Sequence, residues 1–599
     1  MNHHGIRNLV CTTRFARLYS KLTEDEIRSL QSLPFLKNLD TTPQPLTPEQ
    51  VSLLSVEESK ILDRLPKKKR EYINKKIATL KPIFRKGSSD MLDYRITDPA
   101  YSHVTPFDVE SSKRLSVTKL LTKGWCELRK MYDIYAQTDI FKSKRVAEGS
   151  KIHSTLEERT HKKTKDVLEI IDSYNIENLL QEFNEKWLEL EAGHKLLDVP
   201  SAEGEHVEVE EILDLELFAE DIFSQGWCNN VSRLYDLCTN GEAREILVHG
   251  YINKSTGKFV EGAIDSKSED LILISGVIDH IYVPNHPTWD SSYSPLDGNH
   301  IDENDDMDAT FKDIDVLLNH PPKETEAPWV YHLGDVKTRA YNNVPLQENV
   351  VNASKLQVMY YKFFFRNLCT QPREHTFQKL VHNAHYRGLD PYKYLQSEQV
   401  FSLFVQFAFF RKDLLKLKDG SIFQDEVLDG GSLQVLTQEA NAAPEYDQEK
   451  LNYYLQRFFP DWGFEGKWVY WPTLEYFARR MSQLYSRVLS QPNSSISNEL
   501  SIEYYNKRNM LFQKTEFEYD ENYFKQNLES SVAFWLGKRL VEPIDPLVDD
   551  NLNTYCKKCE YRNHCFWKFK RMENLQKMST KSKKLGTMLQ EINRSLCES

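Results

Sequence analysis

Nine cysteines in 599 residues are too few for a secreted disulfide framework, since such scaffolds are short and cysteine-dense, and the composition predicts a reducing compartment. No run approaches the roughly 18 apolar residues that a membrane-spanning helix needs. The most apolar stretch, Phe401 to Phe410, is short and interrupted by Ser402 and Gln406, so a soluble chain with no membrane partner is expected. There is no Walker A motif, hence no evident ATP motor, and no internal repeat. Acidic residues are missing before Glu24, while Arg7, Arg14, Arg17 and Lys21 stand there among hydroxyl residues. That composition predicts a mitochondrial presequence over 1–23 and a location in the mitochondrial matrix.

What the chain does have is unevenly spread. Its net charge is -12, which argues against nucleic acid only if the charge is uniform. Residues 64–86 instead carry ten Lys or Arg against Glu71 alone, and residues 557–584 carry ten against Glu560 and Glu573. Each basic run is compatible with a solvated helix face or with a track for a phosphate backbone. The acidic excess lies in 203–221 and 290–326. The segment 284–328, with 11 Asp or Glu, two Lys and several Pro, cannot bury a core and is expected as an unfolded insertion in a hairpin loop.

Residues 24–112 read as a polar, basic and loosely packed extension, and 571–599 as a basic tail. From Ser116, an N-cap residue, apolar spacing predicts one helix through Leu120, Leu121, Trp125, Leu128 and Tyr132 that carries Cys126. Further helices are expected over 149–159, 167–190 and 346–365, and through most of 380–490. Strands are expected over 246–252, 271–283 and 329–338, the last two adjacent despite the insertion between them. The aromatics of 401–410 and 453–476 suit a core, with base stacking as the alternative.

Phosphodiester hydrolysis needs acidic ligands for a divalent cation and a positive charge near the attacking water or the developing charge. Asp335 and Lys337, two apart on a strand, share a face and meet that need, with Val336 pointing into the opposite layer. Asp279 ends an apolar strand, where a lone buried carboxylate is costly unless paired or bound to metal. His153 and Glu157 lie four apart on one helix face, as do Gln357 and Tyr361. Cys556, Cys559 and Cys565 form a C-x₂-C-x₅-C run able to grip one metal centre. Its spacing fits zinc, with His564 at hand, as well as a [4Fe–4S] cluster.

The blocks G149-x-x-x-H153-x-x-x-E157, G276-V-I-D279, G334-D335-V-K337-T338 and Q357-x-x-x-Y361 together resemble the RecB-type branch of the PD-(D/E)XK nuclease superfamily. With Cys126 before them and the cysteine run after, the pattern resembles the exonuclease V family, whose fungal members act in mitochondria. The resemblance covers roughly 113–570 and implies an α/β nuclease domain, a mixed central sheet flanked by helices with helical additions and an iron–sulfur clasp. It implies His153, Asp279 and Asp335 as ligands of Mg²⁺ or Mn²⁺, Lys337 as the catalytic lysine, and Gln357 and Tyr361 as supports of the site. It also implies a [4Fe–4S] cluster on Cys126, Cys556, Cys559 and Cys565. The expected activity is monomeric, single-strand-specific DNA exonuclease action, from 5′ ends by analogy with fungal members. The competing expectations are a metal-stapled nucleic-acid-binding protein without turnover, or a nuclease subunit acting on RNA or duplex ends. The long acidic insertion between the two aspartates departs from the family pattern.

Overall fold

A computed structural model of the chain describes residues 67–87, 90–110, 112–137, 144–161, 219–264, 270–284, 312–319, 328–423, 443–458, 463–490, 493–548 and 551–574, with positions 181, 185, 186 and 577. The presequence, most of the extension, nearly all of the helix expected over 167–190 and most of the acidic insertion lie outside the described residues.

Two units divide the chain: Met1–Lys81, Arg85–Tyr94 and Asp545–Ser599 make one, Pro82–Phe84 and Arg95–Ile544 the other. This partition differs from a single domain over 113–570 behind a loose extension. In the smaller unit, residues 67–81 of helix α1 (Lys67–Phe84) bury Ile73, Ile77 and Leu80. Its buried Lys76 reaches Glu560 at 3.3 Å, and Leu92 forms a parallel bridge with Cys565. Within α1 the basic run rides on a packed helix, with Lys67 and Lys68 outward and Lys76 buried. Residues 95–110 belong to the larger unit, where Phe107 is buried and Tyr135 donates to the Val104 carbonyl at 2.6 Å.

The larger unit is a mixed α/β structure. Its strands are β1 (Leu115–Ser116), β2 (Glu242–Ala243), β3 (Ile246–Asn253), β4 (Leu271–Ile278), β5 (His280–Tyr282), β6 (Val330–Arg339), β7 (Ser495–Asn506) and β8 (Leu511–Glu518). One sheet has the order β1-β4-β3, the other β2-β5-β6-β7-β8, with β1/β4 and β6/β7 parallel and the remaining pairs antiparallel. The strand expected over 271–283 is therefore broken at Asp279 into β4 and β5, which serve different sheets. Its partner breaks at the same height, between β2 and β3. Ile246 faces Ile278 and Ala243 faces Ile281, so continuing the register sets Glu245 opposite Asp279. β5 and β6 are neighbours, as the sequence predicts.

The flanking helices are α2 (Glu127–Ala136), α3 (Lys144–Thr160), α4 (Ala219–Asn240), α5 (Glu348–Thr370), α6 (Arg373–Tyr386), α7 (Ser397–Gln406), α8 (Ala408–Asp419), α9 (Glu445–Phe458), α10 (Leu474–Val488) and α11 (Glu521–Trp535). The single helix expected from Ser116 to Tyr132 is two: Val117–Leu120, then α2. The first helix ends at Leu121, ψ 59°, and in the link that follows a Cβ at Gly124 would stand 3.1 Å from Ala353 of α5. Cys126 is the N-cap of α2 rather than an interior residue. The aromatics of 401–410 are core: Phe401, Phe404, Phe409 and Phe410 are buried, as are Tyr454 and Tyr476, whereas Tyr453 is exposed.

Part of the acidic insertion is folded, contrary to its composition. A short helix, Ile314–Asn319, buries Ile314. Asp315 meets Arg480 of α10 at 2.6 Å, and Lys416 of α8 contacts Asp313 at 2.8 Å and Asp315 at 2.6 Å. Arg480 is itself fully buried against Asp413 at 2.7 Å. The carboxylates that could not make a core alone find their counter-charges on helices 101 to 165 residues away. Among the described residues no helix is long and apolar enough to cross a membrane.

Candidate active site

Asp335 and Lys337 share a face of β6, as the two-residue period of a strand requires, and Lys337 Nζ lies 2.6 Å from Asp335 Oδ2. Asp335 is completely buried, yet neither of its carboxylate oxygens receives a well-formed hydrogen bond. Burying a carboxylate in that state is costly without a cation, and the ammonium at its edge supplies only part of the need. Val336 points the other way and packs with Ile152 and Leu156 of α3. That contact holds α3 on β6, where a Cβ at Gly149 would stand 3.1 Å from Thr338 Oγ1.

Asp279 occupies the break between β4 and β5. Its Oδ2 accepts the Val336 N–H at 2.7 Å, tying the break to the middle of β6. Burial and the neighbouring Asp335 charge push its carboxyl up to about 8, against the opposing pull of His153 and Lys337. Two carboxylates in one dry site cannot both ionise cheaply, and a divalent cation relieves both.

α3 presents His153 to this break, with Nδ1 3.1 Å from Glu245 Oε1 and 3.8 Å from Asp279 Oδ1. Burial works against a charged imidazole there. The hydrogen bond to Glu245, with the charges of Asp279, Glu245 and Asp335, outweighs it and raises the His153 pKa above its ordinary value. Ligand atoms of His153, Glu245 and Asp279 all lie within 4.8 Å of one another, a spacing one ion can span. Glu245 is the residue that sequence reasoning misses. It stands alone in the break between β2 and β3 in a left-handed conformation, φ 57°, and only the register of the β3/β4 hairpin brings it to Asp279. Glu157, expected beside His153, is instead paired with Arg233, which also donates to the Glu245 carbonyl at 3.0 Å.

Gln357 and Tyr361 do share a face of α5, and they extend the site. Lys337 Nζ donates to Gln357 Oε1 at 3.1 Å, and Gln357 Nε2 donates to the Tyr361 hydroxyl at 2.7 Å. Burial and the two aspartates hold the Tyr361 phenol protonated far above its usual range. Gly276 on β4 permits this approach, since a Cβ there would fall 2.8 Å from the Tyr361 ring. The sequence therefore places Asp279, Asp335, Lys337, His153, Gln357 and Tyr361 in one site, and the structure adds Glu245.

Behind this face, β7 buttresses β6. A Cβ at Gly334 would meet Ser501 Oγ at 2.9 Å and Glu503 Oε1 at 3.2 Å. Glu503 is buried against His280 at 2.8 Å, and that imidazole, with Arg244, overcomes burial and draws the carboxyl down to about 2.

The candidate thiolates fall in different units. Cys126, in the larger, is a free cysteine whose thiol burial pushes up. In the smaller, Cys556 ends a helical turn and its carbonyl accepts the Cys559 N–H at 3.1 Å, while Cys565 is held by the bridge to Leu92. His564 Nδ1 lies 3.2 Å from the Asp90 carbonyl. The basic stripe expected along this segment is only partly outward: Arg562 and Lys568 are buried, while Phe569 is exposed.

Residues 102–568 match the protein family described as "Exonuclease V - a 5′ deoxyribonuclease". The chain is also similar to proteins named "Exonuclease V, mitochondrial". It is 33% identical to that of Kluyveromyces lactis over 97% of this chain and 99% of the relative. For Candida glabrata the identity is 32% over 88% and 93%, and for Saccharomyces cerevisiae 30% over 94% and 90%.

Proposed function

The chain belongs to the exonuclease V family, and from that premise we propose that it is a mitochondrial deoxyribonuclease that hydrolyses phosphodiester bonds of single-stranded DNA from free ends, 5′ ends first. The observation that carries the catalytic part is Asp335: fully buried, without a good hydrogen bond to either oxygen, and 2.6 Å from a lysine. A protein that only bound nucleic acid would gain nothing from that arrangement.

The residues fit a hard divalent cation. Asp279, Asp335, His153 and Glu245 would hold Mg²⁺ or Mn²⁺, because oxygen donors with one imidazole suit those ions. When bound, such an ion polarises the scissile phosphate and lowers the pKa of a water. The chain's own groups do the rest. Lys337, steered by Gln357 and Tyr361, presents a positive charge to the water or the departing oxygen. The Val336 N–H holds Asp279 in place while the strand is bound. This reading places the site in a PD-(D/E)XK core.

For Cys126, Cys556, Cys559 and Cys565 we favour a [4Fe–4S] cluster: four thiols match its donor set, and His564 has a nitrogen turned to a backbone carbonyl. An absorption spectrum of anaerobically purified protein tests it. A colourless, zinc-loaded and fully active enzyme refutes it.

The activity is tested on end-labelled linear, circular and duplex DNA with wild type and Asp335→Asn. The expected result is degradation of linear single strands alone, abolished in the variant. Cleavage of closed circles refutes the exonuclease reading, and an undiminished variant refutes the site.

A further inference from the structure

The face of the β3/β4 hairpin that carries Glu245 and Asp279 continues away from the metal site. By register its next pairs are Leu247 with Val277 and His249 with Ser275. Leu247, Val277 and Ser275 are only partly buried, so this stretch of sheet is not sealed from solvent. At about 13 Å from Asp279, four residues at the rise of a strand, it meets a gathering of cations. Arg114 Nη1 donates to Ser275 Oγ at 3.1 Å. Arg387, the C-cap of α6, donates to Asn383 at 2.6 Å and lies over the Phe223 ring. Lys379, also on α6, is buried with its ammonium on the Glu261 carbonyl and Gln371.

Among the described residues none of these three cations forms an ion pair with a carboxylate, although the Arg114 charge helps to lower the Arg387 pKa and the Glu261 charge is near Lys379. His249 lies among them. It is 4% exposed, and its Nε2 has no hydrogen-bond partner. Burial, together with Lys379 and Arg387, drives its pKa to about 3, so the ring is neutral. Two arginines without a carboxylate partner, a lysine with only the nearby Glu261 charge and an imidazole nitrogen without a hydrogen-bond partner make an electrostatic cost that a bound anion offsets.

We propose that Arg114, Arg387, Lys379 and His249 form a second phosphate site, which grips a backbone phosphodiester of the single strand about 13 Å from the scissile bond, along the same sheet face. The proposal rests on the single-strand nuclease reading and adds to it a fixed point of grip. That point sets how far the strand is drawn past Asp335 before each cut. Phosphate grips of this kind fix register without reading sequence.

The test is binding of a fluorescent single-stranded oligonucleotide to the full chain in chelator, so that nothing is cut. Arg114→Gln/Arg387→Gln is compared with wild type and with the charge-retaining Arg114→Lys/Arg387→Lys. Removing each charge is expected to weaken affinity about tenfold, and the dependence of log Kd on log salt should flatten by about 0.7 for each phosphate no longer held. A single neutral methylphosphonate linkage, walked along the strand, should weaken wild type at one position and leave the double glutamine variant unaffected there. The lysine variant should recover most of the salt dependence, which a purely structural role for these arginines would not produce. Unchanged affinity and slope in the glutamine variant, with wild type still binding and cutting, overturn this site alone. A wild type that neither binds nor cuts single strands overturns the nuclease reading and the site with it.

Discussion

Asp279→Asn should make the metal-free protein more stable, not less. The carboxyl is held near 8 by burial and by Asp335, whereas an unfolded aspartate titrates near 3.8. Between those values the folded state keeps a proton that the unfolded state has released, so stability falls as pH rises through that window. At pH 7 the penalty is about 4 kcal/mol, from roughly three pH units at 1.36 kcal/mol each. Asparagine has the same shape, never ionises, and its amide oxygen can still accept the Val336 N–H. In chelator, denaturant unfolding at pH 7 should show the variant more stable by about 2–4 kcal/mol, with a flatter pH profile between 4 and 8. With Mn²⁺ the order should reverse, because the wild type gains stability as the ion occupies the site and the variant lacks one of its ligands. A variant that is less stable in chelator, or that still gains stability with Mn²⁺, refutes the reading of Asp279 as a strained ligand.

Lys337→Ala should cut the rate by about 10²–10³-fold while leaving strand affinity within a few-fold, in single-turnover assays; a matching loss of affinity would instead make Lys337 a binding residue. Glu245→Gln should weaken Mn²⁺ binding about tenfold or more in calorimetric titration, and unaltered affinity would remove Glu245 from the ligand set. Arg480→Met leaves Asp413 buried without its guanidinium, so a loss of about 3–5 kcal/mol and protease sensitivity near Ile314–Asn319 are expected; an unchanged proteolysis pattern counts against the docking of that helix. Glu503→Gln bears on acid stability. The depressed carboxyl stabilises the fold above about 4.5 and loses that contribution as pH falls through about 2, so the variant should lack this part of the acid transition in unfolding followed against pH.

The residues legible in the sequence are those whose placement depends on a local period. Asp335 and Lys337 follow the alternation of one strand, and Gln357 and Tyr361 the turn of one helix. Glu157 obeys the same rule and still misleads, because sharing a face with His153 does not decide which neighbour stands at its height. Arg233 does. Glu245 has no local signal at all. Its position depends on a hairpin register carried through an open stretch of ladder, a long-range property. The insertion misleads by composition: its charge predicts no core, but Asp313 and Asp315 fold by meeting Lys416 and Arg480, which no local window contains. The link that splits the helix from Ser116 likewise packs on a distant residue, since Gly124 lies against Ala353.

The strand bearing Asp335 and Lys337 has its inner neighbour in β7, and Asp335 pairs there with Ile502. A growing or translocating chain thus carries every proposed ligand and the lysine long before that partner exists. Until residues 495–506 arrive, β6 is an open edge and Glu503 is absent from behind Gly334. Pairing over so great a separation is slow and comes late in folding. The order of synthesis therefore acts as a safety catch: an incomplete polypeptide holds the residues for cutting DNA but not the wall that sets them, and the blade is armed only when the last sixth of the chain is in place.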